Sequence, residues 1–331
     1  MARPRLWPWQ PARSLPWVSL PRYPTKSHPT DRQPTPVPTD PLPTYRFAPS
    51  PNGYLHLGHA LSAILNHDLA ASNNGRFLVR IDDIDQTRAR PAFEDAIFED
   101  LDWLGLQWAP DIRRQSEHTD DYRAALARLD ALGLVRRSVA TRREIAEAAA
   151  AAEKAGTPWR RDPDGAWIAP PDEAFLTTDA IATRIATDAP ATLRLKTRKA
   201  IAHLAIDLAF VEEDAGPAGE TGLIEADPTL WGDVVLARSD AAASYHLSVV
   251  VDDAAQGITH VVRGRDLFYA TAIHRLLQAL LDLPAPRYRH HRLITDETGR
   301  KLSKSSQDTS LRELRDQGAT PADIRRKIGI G

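Results

Sequence analysis

Apolar positions along this chain recur with two periods, about two and about 3.6 residues, and the places where the period changes mark its elements. Tyr45-Arg46-Phe47-Ala48 predicts a short first strand, closed by a turn-forming run through Pro49, Pro51 and Gly53. Residues 57–73 carry apolar positions at helical spacing and stop at Asn74-Gly75, a C-cap signal. Phe77-Leu78-Val79-Arg80-Ile81 predicts a second strand that runs directly into Asp82-Asp83-Ile84-Asp85. Strand, helix and strand in this order form a βαβ unit. The expected class is therefore α/β, with a parallel sheet and a right-handed crossover.

Two more amphipathic helices are expected at 91–107 and 117–133, and a third at 141–156, rich in alanine and stopped at Gly156. This third helix has strong intrinsic propensity but little apolar face to bury. Residues 157–190 are rich in Pro, Asp and Thr and keep no period. The span 136–190 is read as an insertion that divides the α/β domain into halves at 45–135 and 191–285. In the second half, strands are expected at 191–198, 201–211, 233–237, 247–251 and 258–263, and a helix at 266–283. Residues 286–331 hold a polar loop, a helix from 308 and a last short helix opened by Thr320-Pro321, with Thr as N-cap.

Composition fits an ordinary globular protein: 331 residues, 42% hydrophobic and 26% charged, enough to bury a real core. A formal net charge of −2 provides no global basic field for nucleic acid, and leaves only a local basic face for that purpose. The absence of cysteine excludes disulfides and any thiolate zinc site, and fits a reducing compartment. No apolar run approaches the roughly 20 residues of a membrane span. No membrane partner is expected, and the expected location is cytoplasmic. Residues 1–44 stand apart, with 12 of the 26 prolines, six basic residues and only Asp31 and Asp40 as acids. Proline at that density blocks helices, so a disordered Pro-rich extension is expected, a leader outside the working fold.

Three constellations carry candidate chemistry. In residues 48–60, APSPNGYLHLGHA, His56 and His59 flank Leu57-Gly58 where the first helix begins. A helix mouth there directs N–H groups and the positive end of its dipole at the preceding loop. Gly58 leaves room for close approach, and the i, i+3 spacing puts both imidazoles on one face. The pattern fits a phosphate cradle; it also fits a surface turn, and a metal site would lack a nearby third ligand. Lys301 and Lys304, in KLSKS, either close over an anionic transition state or simply face solvent. Arg46, Asp82, Asp83, Asp85, Asp252, Asp253 and Arg263 fall at expected strand ends, which line the ligand crevice of open parallel sheets. Arginines there suit carboxylates and an aspartate suits an ammonium, so a substrate with two carboxylates and one amine would use them all. Solvated strand-end charges are the alternative.

Together, RFAPSPNGYLHLGHA, FLVRIDDID, SYHLSVVVDD with HVVRGRDL, and KLSKS follow the order and spacing of class I glutamyl-tRNA synthetases. His56-Leu57-Gly58-His59 resembles their HIGH signature and Lys301-Leu302-Ser303-Lys304-Ser305 their KMSKS loop. The likeness covers 45–135 and 191–310. It implies a Rossmann-type parallel sheet split by an inserted subdomain, with a short KMSKS-loop and helical C-terminal segment. Only 26 residues follow Ser305, so no anticodon-binding domain is expected. In this the chain resembles the glutamyl-queuosine tRNA(Asp) synthetase family, whose members activate glutamate with ATP in the absence of tRNA. They then esterify it to the queuosine base in the anticodon of tRNA(Asp).

The resemblance implies L-glutamate, ATP with Mg²⁺ and queuosine-bearing tRNA(Asp) as partners of a monomer. It places Arg46, Phe47, Ala48, Pro49 and Ser50 along the glutamate, with Arg46 on a carboxylate. Asp82 takes the place of a family glutamate that holds the α-amino group, and Tyr245 and Arg263 complete that pocket. His56, Gly58 and His59 would meet the ATP phosphates. His56, His59, Lys301 and Lys304 would carry the catalysis, with Lys304 on the α-phosphate.

Two departures stand out. Asp82 is one methylene shorter than the usual glutamate. Many relatives also carry a zinc knuckle shortly after a Gly-Leu; here Gly133-Leu134 is followed by VRRSVATRREI, with Ser138 and Ala140 at cysteine positions. No bound metal is expected. The rival readings are a truncated glutamyl-tRNA synthetase charging an acceptor end, a nucleotidyltransferase with an HxGH signature, and a non-catalytic RNA-binding remnant.

Overall fold

The computed structural model describes residues 42–296, 300, 302 and 309–330. Residues 1–41 of the extension expected at 1–44, together with Lys301 and Lys304, lie outside the described residues, while Thr44, the last residue of that span, already belongs to the first strand.

β1 (Thr44–Phe47), α1 (Leu57–Ser72) and β2 (Arg76–Ile81) form the expected βαβ unit, the strands parallel from Thr44↔Arg76 to Phe47↔Val79. Nearly every residue of both strands is buried, as in a sheet covered on both faces. After α1 the chain turns at Asn74, whose φ is +50°, and Gly75, where a side chain would strike the Pro43 carbonyl. α2 (Pro91–Trp103) leads to the two-residue β3 (Arg113–Arg114), parallel to β2, and then to α3 (Thr119–Ala131).

The chain next leaves this sheet. β4 (Val135–Ser138), α4 (Arg142–Lys154), α5 (Thr178–Ala186), β5 (Thr192–Leu195) and α6 (Thr197–Leu204) follow in turn. After them come the antiparallel pair β6 (Ala209–Glu212) and β7 (Gly222–Glu225), and then β8 (Val235–Arg238). β4, β5 and β8 build their own antiparallel sheet. The strands expected at 191–198 and 233–237 thus exist but pair outside the parallel sheet. Ser138, at one of the cysteine positions, is buried; its hydroxyl and the Val139 N–H both donate to Asp172, each at 2.6 Å.

α7 (Tyr245–Ala255), β9 (His260–Gly264), α8 (Ala270–Leu280) and β10 (Arg287–His291) return to the main body, and α9 (Leu311–Asp316) and α10 (Pro321–Lys327) follow. The second sheet runs β9-β10-β6-β7, parallel except for β7 at its edge. Two expectations fail here. Residues 247–251, expected as a strand, lie in α7; they are apolar on nearly all sides, so periodicity could not separate helix from strand. In 201–211 the first residues complete α6, which ends at Ala205 in the left-handed conformation, φ +50°, before β6 begins. β10 was not anticipated, because its sequence, RYRHH, is mostly polar and shows no apolar alternation.

The two sheets meet at β1 and β9. The Thr44 N–H donates to Thr259 Oγ1 at 2.8 Å, the Thr259 N–H to the Thr44 carbonyl at 3.1 Å, and the Tyr45 and His260 rings stack at 4.8 Å. From β1 the chain continues to β2 on one side; from β9 it continues to β10 on the other. That reversal defines the crevice position of an open parallel sheet, at the carboxyl ends of the two strands. Phe47 and Arg263 stand there.

Candidate active site

At that crevice lies a cleft of about 420 Å³. Arg46, Phe47, Ala48, Pro49, Ser50, His56, Gly58, His59, Asp82, Tyr245 and Arg263 all line it. Every described residue that the resemblance assigns to the site is therefore brought together in one place. Leu302, between the two lysines that lie outside the described residues, lines it as well. Asp83 and Asp85 are engaged elsewhere: Asp83 accepts from the Ser116 amide and hydroxyl, and Asp85 from Thr87 and Arg88.

The loop after β1 is fastened by backbone bonds: Asp82 N donates to Pro49 O and Arg90 N to Pro51 O, each at 3.0 Å. It delivers His56 as the N-cap of α1. His56 Nδ1 accepts from Gly58 N at 3.1 Å, and His59 Nδ1 accepts from His56 N at 3.2 Å. This is a capping box made of imidazoles, where Ser or Thr with Glu is usual. Both Nδ1 atoms act as acceptors, so each neutral ring keeps its proton on Nε2. The sequence suggested amide donors at this helix mouth, but the Gly58 and His56 amides are already engaged by the rings. Gly58 serves the cap directly, since a Cβ there would lie 3.0 Å from His56 Cε1.

The opposite wall is a buried ionic lattice. Arg46 forks onto Asp253, through Nε at 3.0 Å and Nη2 at 3.2 Å. Its Nη1 is the nitrogen left to a ligand. Arg80, completely buried, donates from Nε to Asp82 at 2.7 Å and from Nη1 to Asp253 at 2.6 Å, while its Nη2 has no hydrogen-bond partner among the described residues. Burial would raise the Asp253 carboxyl, but Arg46 and Arg80 outweigh it and hold it below its ordinary value. Asp82 goes the other way: burial pushes it up to about 6, against the pull of Arg80. Asp252 faces elsewhere and accepts from Arg113, Gln115 and Tyr122.

Arg80 and the clamping role of Asp253 were missed. The available signal was an arginine flanked by Val79 and Ile81 inside a strand otherwise apolar, a position that demands buried partners. Asp252 and Asp253 were noticed, but as strand-end charges; they stand instead on the last turns of α7.

Comparison with known proteins identifies the family and the fold. Residues 44–329 match the family described as tRNA synthetases class I (E and Q), catalytic domain. The chain is 48% identical over 293 residues to a glutamyl-Q tRNA(Asp) synthetase of Rhodobacter capsulatus, covering 86% of this chain and 99% of that protein. It is 35% identical to a glutamate–tRNA ligase of Ruegeria pomeroyi over 84% of this chain, but spans only 58% of that ligase. Among solved structures, a glutamate-tRNA synthetase from Elizabethkingia anophelis superposes with a TM-score of 0.63 at 26% identity, covering 84% of this chain and 54% of that one.

Proposed function

The chain belongs to the catalytic-domain family of class I tRNA synthetases for glutamate and glutamine, and from that premise we propose that it activates L-glutamate with ATP in the absence of tRNA and transfers it to the queuosine base in the anticodon of tRNA(Asp). The observation that carries this reading is the charge pattern of the cleft. Arg46, Arg80, Arg263 and Arg292 line it with Asp82 and Asp266, and Asp253 lies behind Arg46 and Arg80. These seven groups, four positive and three negative, leave one positive charge in excess, beside the His56 and His59 imidazoles at a helix mouth. Glutamate, with two carboxylates and one ammonium, carries one net negative charge and complements that pattern. The near-complete coverage of the glutamyl-Q relative supports the choice of acceptor.

The first step needs no strong base, because the α-carboxylate of glutamate is ionised at neutral pH. One of its oxygens attacks the α-phosphorus in line, and the bond to pyrophosphate breaks. Asp82 would hold the ammonium and Arg46 Nη1 and Arg263 the carboxylates, with Phe47, Ala48, Pro49, Ser50 and Tyr245 shaping the pocket. His56 and His59 would donate from Nε2 to phosphate oxygens beside Gly58, and Lys301 and Lys304 would meet the charge that builds on the α-phosphate. In the second step a hydroxyl of the modified base attacks the glutamyl carbonyl, AMP departs, and the hydroxyl proton passes to solvent. Among the described residues no three His, Asp or Glu side chains converge on a metal position. Mg²⁺ would arrive on the triphosphate, its customary ligand, and no step runs through it. A monomer acting in the cytoplasm completes the reading.

ATP–pyrophosphate exchange with glutamate and no tRNA is the test. Exchange well above background is expected; its absence would remove tRNA-independent activation. Labelled glutamate should then enter tRNA(Asp) carrying queuosine and not the unmodified tRNA(Asp). Equal labelling of both, or labelling of an acceptor end, would favour the truncated-synthetase reading.

A further inference from the structure

Behind the cleft wall a chain of polar side chains, buried except at its half-buried end His246, runs from Glu212 to His246, and the reaction gives it no task. His290 Nδ1 lies 2.5 Å from Glu212 Oε2, and Glu212 Oε1 accepts from the backbone N–H groups of His290 at 2.9 Å and Asp214 at 3.1 Å. His290 Nε2 faces Arg263 Nε at 3.1 Å. Arg263 Nη1 lies 3.0 Å from His274 Nδ1, whose Nε2 is 3.2 Å from His246 Nδ1. Arg263 Nη2 donates to the Leu267 carbonyl at 3.1 Å and to Thr271 Oγ1 at 2.7 Å. Glu212, His274 and His290 are all buried, and Arg263 is 5% exposed.

The two kinds of end group fix every proton in this chain. A guanidinium can only donate and an ionised carboxylate can only accept. His290 therefore carries its proton on Nδ1, toward Glu212, and presents a lone pair to Arg263. His274 likewise presents its Nδ1 lone pair to Arg263 and carries its proton on Nε2. Four of the five Arg263 N–H groups are engaged in this way, and one on Nη1 remains. The partners that touch Arg263 are all neutral, and among the described residues no carboxylate reaches it. Arg46 and Arg80, by contrast, rest directly on carboxylates. Arg263 is thus held rigidly by hydrogen bonds without being neutralised by contact. A desolvated cation in that condition favours an anion at its open side. Glu212 sits one imidazole away, where it sets the orientation and tautomer of His290 instead of quenching the charge.

We propose that Glu212, acting through the Nδ1–H tautomer of His290, together with His274, positions Arg263 so that its remaining Nη1 N–H and uncompensated charge meet a carboxylate of the amino acid, which makes Glu212 a remote determinant of acid-over-amide selection. The proposal rests on the glutamate reading. Glu212, His274 and His290 are positioning residues and touch no substrate.

Glu212→Gln tests it. A glutamine has one carbonyl for the two backbone donors of His290 and Asp214, which leaves its NH₂ facing His290 Nδ1. The ring must then move its proton to Nε2, where it opposes the Arg263 Nε–H. The expected result is a rise of about tenfold or more in KM for glutamate, a preference over glutamine that shrinks by a similar factor, and an unchanged KM for ATP. Histidine-selective ¹⁵N NMR should show His290 as the Nδ1–H tautomer in the unmodified protein and the Nε2–H tautomer in the variant. A variant with the tautomer switched and glutamate KM unchanged would overturn the proposal, as would an Nε2–H His290 in the unmodified protein. The latter measurement decides the matter even if E212Q fails to fold. Loss of glutamate-dependent exchange in the unmodified protein would instead count against the proposed function, while the tautomer remained readable on its own.

Discussion

Asp82 combines two opposed demands in one side chain. Its carboxylate is held by Arg80 on one oxygen and lines the cleft, yet burial keeps its pKa up at about 6. Pairing with an ammonium requires the ionised form, so glutamate binding should weaken as pH falls through about 6. KM for glutamate is expected to climb by about tenfold per unit below that point, with kcat little changed. A profile of the exchange reaction between about pH 5 and 8 checks this; a flat KM would separate Asp82 from the amine. The stability sign is the reverse of a salt-bridged acid. The folded-state pKa lies above the ordinary 3.8, so ionising Asp82 opposes folding; that cost is absent below about pH 4 and complete above about 6. At residue scale the sequence was legible where polar residues gather near turns, as with Arg46, Asp82 and the HLGH pair. It was not legible for Glu212, Arg80 or His290, because their partners lie far along the chain and only the folded sheet brings them together.

Among the elements, β4 is held in shape by a buried carboxylate. Asp172 is 5% exposed and takes both the Ser138 hydroxyl and the Val139 amide, and Arg136 approaches it at 3.8 Å. Asp172→Ala would leave two buried donors without an acceptor. It is expected to destabilise the protein by about 2–4 kcal/mol, read as a lower denaturant midpoint with faster amide exchange first in β4. A change within experimental scatter would show the clamp to be idle. Element identity was legible where period and length agreed, as in α1, β2 and α8. It failed in α7, where a run of valines suggested a strand. There the eleven-residue length and the Ser244 cap were better guides than β propensity. The antiparallel sheet of β4, β5 and β8 was beyond reach, since four-residue strands carry too little pattern to reveal their partners.

For the whole molecule, the C-terminal helices brace the loop that carries His56. The Leu311 N–H donates to the Leu55 carbonyl at 2.7 Å, Ser310 bridges to His56, and Arg325 forks onto Asp68 of α1 at 2.7 and 3.1 Å. The half-exposed Arg325 pair contributes little by itself, at most about 1 kcal/mol. Apolar packing contributes more. Ile324 is fully buried with Leu311 and Ile328 in the same cluster as Leu55 and Ile64. Ile324→Ala should therefore cost about 2–5 kcal/mol, measured by thermal or denaturant unfolding. A loss below about 0.5 kcal/mol would mean the helix is not integral to the core. The parallel α/β class was legible from the first βαβ unit, but the placement of β9 beside β1 was not, because that adjacency is a property of topology and not of any local pattern.

On the ribosome, Thr44 emerges 215 residues ahead of Thr259, the partner that closes the open side of β1. At about 5–20 residues per second that interval lasts about 10–40 s. Throughout it the first strand presents unpaired backbone to whatever else is nearby, a standing invitation to wrong pairing. The crease at which the cleft opens is thus also a late join, made only as β9 and then β10 emerge, and one a nascent chain needs sheltered.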